Sequence, residues 1–257
     1  VVDYGKSMMS WLCNKVAINQ QDGILNLHGG RRVKYDSRAS HWGYYWGEIV
    51  KNYTKRQLTY EKDKLPAISG IVSRFQASAD DECLAGLWKS DLMKELLWNV
   101  SPTQSARKPE KYRAPSWSWA SIEGTIFSIY ESAYGYGVHI ATVITSEVHI
   151  KGEYEFGEVT GGFIKISGPL TKLDEDPPAE WLEDYEPYFY YYFHFPPKQL
   201  QTHLWFLGMV ALETKTANRV RGLPLVSAGS DNTFSRVGVA HIDMDKSERD
   251  ETIVTLI

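Results

Sequence analysis

The sequence predicts an α+β fold, with an N-terminal helical layer (residues 1–115) packed on a mainly antiparallel β-sandwich or open β-barrel (residues 116–257). Two observations carry this. Up to Pro115, apolar residues recur at helical spacing between capping residues; beyond it, glycine and proline punctuate runs of valine, isoleucine, threonine and aromatics, the residues that fit strands. No helical segment after Pro115 can carry a parallel crossover, so neighbouring strands should run antiparallel. At 257 residues and 43% hydrophobic, the chain can bury a large core within one compact unit.

Residues 6–16 form the first candidate helix, and the glycine-punctuated stretch "QQDGILNLHGG" a short hairpin. The basic cluster "GGRRVK" (29–34) reads as a solvated loop. Trp46, Ile49, Val50 and Tyr53 fall at i, i+3, i+4 and i+7, one apolar helix face. Asp63 suits the N-cap of a second helix, with Pro66 in its first turn and Leu65, Ile68, Ile71, Val72 and Phe75 on its buried side. Ser90 suits the cap of a third, running to Trp98 with Leu92, Met93, Leu96 and Leu97 as its stripe. Strands are predicted at 117–120, 138–150, 162–173, 188–195, 204–213, 234–243 and 252–257, and the acidic, proline-rich stretch 173–187 as a long surface loop.

A net charge of −4 gives no long-range pull towards nucleic acid, so no nucleic-acid partner is expected. No apolar run reaches the 18 residues or so of a membrane span, and the two cysteines, Cys13 and Cys83, make no disulfide framework, which points to a reducing cytoplasm. Seven histidines form no metal-ligand spacing, "DMDKSE" (243–248) lacks the glycine and length of a calcium loop, and no phosphate- or dinucleotide-binding glycine motif follows a strand. No metal and no cofactor is expected. Ser116 and Ser118 lack a nucleophile elbow, and Cys83 has no hydrolase motif around it.

Aromatics, 13% of the chain, are the remaining candidates. In "YFYYYFHF" (188–195), strand alternation puts Tyr188, Tyr190, Tyr192 and His194 on one face. Trp117 and Trp119, two apart, share a side of the next predicted strand, where a structural role at the helix-to-sheet junction is favoured. Tyr112 and Arg113 lie on the loop leading to that junction; Arg113 must either pair with a carboxylate, for which Asp91 is the candidate, or face a cavity. The expected cavity lies between helices and sheet, lined by Trp88, Trp98, Tyr112, Trp117, Tyr190 and Tyr192, with Arg113 as hydrogen-bond donor and Tyr112 and His139 in reserve.

The ordered motifs "WGEIVKNYTKRQLT" (46–59), "DKLPAISG" (63–70), "LAGLWKSDL" (84–92) and "YRAPSWSWAS" (112–121) carry a resemblance. Together with "FGEVTGGFIKISGPL" (156–170) and "RVGVAHI" (236–242), this order resembles the tail that follows the signalling domain in fungal heterokaryon-incompatibility (HET) proteins. About 40 residues precede the tail, fewer than a domain ordinarily needs, so the expectation is a tail module without its signalling domain. The resemblance implies one of two functions. One is an interaction module in self/non-self recognition and regulated cell death. The other follows from HET-like proteins of fungal natural-product pathways: a cofactor-independent intramolecular Diels–Alder cyclase acting on an apolar terpenoid intermediate. Such a pericyclic step needs a cavity that folds its substrate, worth up to several kcal/mol within an effective-molarity range of about 7–11, and one donor to the dienophile carbonyl, worth roughly 2–4 kcal/mol. The cyclase is the preferred expectation.

Overall fold

A computed structural model describes residues 16–19, 24–27, 32–34, 42–100, 106–127, 137–173, 191–193, 203–213, 218–229, 231–245 and 250–257. It is an α+β protein with few helices and one large sheet. The chain opens on an antiparallel three-stranded sheet, β1 (Val16–Asn19), β2 (Ile24–Leu27) and β3 (Arg32–Lys34). The stretch predicted as a hairpin, 20–30, contributes β2, which pairs instead with β1 just before it. Arg32–Lys34, read as loop from its charge, is instead the third strand, since Val33 between two cations gives the period-two pattern of a strand. The helix predicted over 6–16 lies outside the described residues except for Val16, which belongs to β1.

Helix α1 (Trp42–Thr54) buries Trp46, Ile49, Val50 and Tyr53, as their spacing predicts. Two 3₁₀ turns follow, Glu61–Asp63 and Pro66–Ile68, and only then α2 (Ser69–Ala79). Asp63 thus ends a turn rather than capping a helix, while Pro66 opens the second turn, where its missing N–H costs nothing. Asp80, in the left-handed region at φ 52°, stops α2. A two-residue turn at Ala85 (φ 45°) and Gly86 (φ 96°) joins β4 (Cys83–Leu84) to β5 (Leu87–Trp88). The helix expected from Ser90 to Trp98 shrinks to a 3₁₀ turn, Lys89–Asp91, and a single helical turn, α3 (Leu92–Glu95), before β6 (Asn99–Val100). Among the described residues up to Pro115, helices therefore alternate with short strands. The strand expected at 117–120 is a 3₁₀ turn, Trp119–Ser121, whose N-cap Ser118 accepts the Ala120 N–H at 3.0 Å; β7 (Ile126–Phe127) then pairs with β6.

The remaining strands are β8 (Val138–His139), β9 (Thr142–Ile150), β10 (Val159–Leu173), β11 (Tyr191–Phe193), β12 (Leu204–Glu213), β13 (Asn218–Ser227), β14 (Thr233–Arg236), β15 (Gly238–Asp243) and β16 (Glu251–Leu256). They form one nine-stranded sheet, antiparallel in every pairing except β14 with β16. The pairings β13–β14–β16–β10–β12–β13 make a closed circuit. β10 makes this possible by serving three neighbours along its length: β9 from Val159 to Ser167, β16 from Ile164 to Pro169, and β12 from Leu170 to Leu173. Strand β13 was not foreseen, because Gly222 and Pro224 read as breakers. Gly222 is needed where β12 approaches, since a Cβ there would lie 2.0 Å from the Leu207 carbonyl oxygen. One continuous apolar cluster joins the helices to the sheet, from Trp46 and Phe75 through Leu97 to Ile164, Leu225 and Val254. Among the described residues no helix is long and apolar enough to cross a membrane.

Candidate functional site

The motif tryptophans converge on one turn. Gly86 O accepts the indole N–H of Trp46 at 2.9 Å and of Trp119 at 2.8 Å, and Ser118 Oγ donates to Ala85 O at 2.6 Å. Trp46 stands edge-on to Trp88 at 5.3 Å, and Phe75 stacks on Trp88 at 6.2 Å. Trp98 donates to Trp117 O at 2.8 Å and carries the Arg236 guanidinium over its ring at 3.7 Å. Trp88, Trp98 and Trp117 are all buried in the core. Beside Glu95, Trp98 and Trp119 borders a void of about 10 Å³, the size of one water. Tyr190 lies outside the described residues, as does the side chain of Tyr192, although its backbone pairs with Val239. His139 is exposed on β8, opposite Val210.

Arg113 is buried, but its partner is not Asp91. It donates to Ala120 O (2.5 Å), Ile122 O (3.0 Å), Glu61 O (2.9 Å) and the Glu123 carboxylate. Lys64, also buried, reaches the other Glu123 oxygen at 2.8 Å and Ile122 O at 2.9 Å. Burial pushes the Glu123 carboxyl up, but the hydrogen bonds from Lys64 and Arg113 outweigh it and hold the group below its usual range. Asp91 pairs instead with Lys94 at 3.0 Å, one turn along its own segment. The guanidinium fork is matched to carbonyls left over by the 3₁₀ turn at Trp119–Ser121, which makes Arg113 the clasp of the 106–123 segment. The segment is pinned further by the Arg107–Glu123 backbone bridge and by the Arg107–Glu61 pair at 2.5 Å.

This segment lines an open groove of about 600 Å³ that takes in Tyr112 and Arg113. Tyr112, 59% exposed, stands at its rim, and Ser116 lies at its base with Gly161, Gly162, Ser235, Val237 and Ile257. Partial burial pushes the Tyr112 phenol up, so it is protonated and able to donate. Ser116 is committed to the scaffold: its Oγ accepts from Arg236 N at 2.9 Å and donates to Ile257 O. Of the expected site residues that are described, the groove joins Tyr112 and Arg113 but not Trp88, Trp98, Trp117 or His139. Sequence reasoning missed it because its other lining residues, among them Gly161, Gly162, Ser235 and Val237, lie far along the chain and no single motif says that they meet. Its described lining offers hydroxyls, apolar side chains and the charged groups of Lys108, Glu110, Lys111, Arg113 and Arg236. Among the described residues, no three His, Cys, Asp or Glu side chains converge as metal ligands would. Compared with protein-family models, curated proteins and solved structures, the chain finds no match.

Proposed function

We propose that this chain is a cytoplasmic recognition module of the HET type, an interaction and regulatory domain in fungal self/non-self response whose binding site is the groove beside Tyr112. The observation that carries the reading is the use made of the motif residues. Trp46, Trp98, Trp119, Ser118 and Arg113 are all spent on holding the wall and core, which leaves an open surface groove as the feature presented to a partner. The closed circuit of strand pairings is read as a small distorted barrel, which would fix β10 and β14 rigidly on the far side of the groove. The test is expression of the chain in a fungal host that mounts an incompatibility response, with Ser235→Trp to fill the groove. Loss of the response at unchanged protein level is expected; a response equal to that of the unmodified chain would rule the groove out.

A second reading, the cofactor-free Diels–Alder cyclase of a terpenoid intermediate, is favoured by one observation. The groove volume falls within the range of small-molecule sites, and a phenol donor stands at its rim. Tyr112 replaces Arg113 as the donor in this reading. Purified chain incubated with a tethered diene–enal should then give one stereoisomer of cycloadduct, and Tyr112→Phe should slow it about 100-fold or more. A product mixture equal to that without protein excludes the cyclase.

A further inference from the structure

We propose that the outer edge of β9 is a docking surface for a second copy of this chain, the two strands pairing antiparallel about Val148. None of the β9 residues lines the groove beside Tyr112, so this interface is separate from the recognition site. The argument starts from β10, which has neighbours on both edges. Thr255 N donates to Asn232 O and Ile257 N to Phe234 O, on the β14 side, so the main-chain groups of Val254 and Leu256 turn to β10 and meet Ile166 and Ile164. Phe163 and Lys165, one residue out of phase, therefore turn theirs to β9, where they meet Glu147 and Thr145. Ser146 and Val148 alternate with these and turn their N–H and C=O away from β10. The end of the strand agrees: Lys151 N donates to Glu158 O at 2.8 Å, which leaves Ile150 in the outward phase.

Ser146, Val148 and Ile150 thus present main-chain donors and acceptors that no other described strand takes up, since β9 pairs with β10 alone. The strand holds no buried residue, and the side chains of Glu147 and His149 are each more than half exposed, so the edge is open to a partner. It also lacks what ordinarily blunts an edge: no proline and no lysine interrupts Thr142–Ile150, and from Thr145 to Ile150 the strand carries no extra residue, the shift near its end falling on β10 at Thr160. The side chains select a second copy as the occupant. Outward-phase residues must face one another across a two-fold axis, and within the regular span the centres that achieve this over most of its length are Glu147 and Val148. A centre at Glu147 sets two carboxylates against each other. A centre at Val148 sets Glu147 opposite His149 of the second copy, and His149 opposite its Glu147. Glu147 and His149 already lie 3.0 Å apart within one chain, so the pairing closes a square in which each carboxylate stands beside two imidazoles. The same centre carries Ile144, exposed at one end of β9, towards the turn of the second copy that bears the exposed Tyr154, so apolar surface left in water by each copy is covered at both ends.

Sedimentation equilibrium of the purified whole chain is the first test. A monomer–dimer equilibrium in the micromolar range is expected, since a single strand pair makes less than a standard interface. Hydrogen exchange should slow at Ser146, Val148 and Ile150 as concentration rises, while Glu147 and His149, already turned to β10, should not change. Val148→Pro removes an N–H that the fold leaves unused and that both copies need at the centre, so it should abolish the dimer; Ser146→Pro repeats the test at a second position should Val148→Pro fail to fold. Glu147→Lys should weaken the dimer about tenfold, and adding His149→Glu should restore it, because opposite charges then face each other again. A chain that stays monomeric up to its solubility limit, a dimer whose outward amides exchange as in the monomer, a folded proline variant that still dimerises, or a Glu147→Lys defect that His149→Glu leaves unrepaired would overturn the inference. Ser235→Trp leaves β9 untouched, so the recognition reading and this one stand or fall separately.

Discussion

Replacing Arg113 by alanine tests the assignment of this residue to the scaffold. The substitution removes the donor from three backbone carbonyls, Ala120 O, Ile122 O and Glu61 O, and from one oxygen of Glu123. Each lost neutral hydrogen bond is worth roughly 0.5–1.5 kcal/mol, and breaking a buried ion pair costs roughly 3–5 kcal/mol when the survivor is stranded. Glu123 is not stranded: Lys64 stays at 2.8 Å, and a quarter of the carboxylate side chain (26%) meets solvent. The ion-pair contribution is therefore small, and the carbonyls set the scale at about 3 kcal/mol, or a fall in Tm of about 6–12 °C for a chain of this size. Arg113→Lys should fall between, keeping the charge but only part of the fork. Asp91→Ala, which breaks a half-exposed pair at 3.0 Å, should change stability by less than about 0.5 kcal/mol. Urea unfolding followed by tryptophan fluorescence measures all three. Arg113→Ala within about 1 kcal/mol of the parent, or Asp91→Ala as damaging as Arg113→Ala, would refute the reasoning.

Gly86→Ala should cost about 2 kcal/mol or more than Gly152→Ala in the same assay, because both sit at positive φ but only the Gly86 Cβ would press on the Trp119 ring, at 2.6 Å, where Gly152 has open space. Ser118→Ala should cost about 1–3 kcal/mol, since one hydroxyl serves both as the cap of the Trp119 turn and as the donor to Ala85 O; Ser73→Ala, on the exposed face of α2, is the neutral control. Glu95 is buried, and burial first, then the charges of Asp91 and Asp81, push its carboxyl well above the ordinary range against one hydrogen bond from the Trp88 backbone. The native state then holds a proton that the unfolded chain has released, so stability should fall as pH rises from about 4.3 upward, and Glu95→Gln should flatten that slope in urea midpoints measured against pH. His241 gives the opposite slope: burial, then Arg221 and Arg219, lower it to about 3, so stability present above about 6.5 should drain as pH falls towards 3, by a few kcal/mol that His241→Gln removes.

What could be read from the sequence and what could not divide by sequence distance. The α1 stripe from Trp46 to Tyr53 is local, and its burial follows from period alone. Trp117 and Trp119 were placed on a strand by their spacing of two, yet the tight turn capped by Ser118 buries both side chains too, so burial was right and conformation wrong. β13 was hidden because Gly222 and Pro224 look like turn residues. Their reason lies in β12, whose Leu207 carbonyl lies where a Cβ of residue 222 would have to go. The Arg113 partner was nearer than the one proposed: Glu123 lies ten residues on, and a tight turn between an arginine and a glutamate was the available signal. The groove draws on three of the quoted motifs, at 112–121, 156–170 and 236–242, but nothing within any one of them says that they meet. Its lining comes from the 108–122 segment, the start of β10, the end of β14 and Ile257, which are far apart in the sequence. Composition fixes that strands form and roughly where, but a site assembled from separate strands appears only once their registers are set. The motifs draw attention to the tryptophans because they are what makes the wall stiff, and a stiff wall is the condition for an open groove to keep its shape instead of collapsing onto its neighbours.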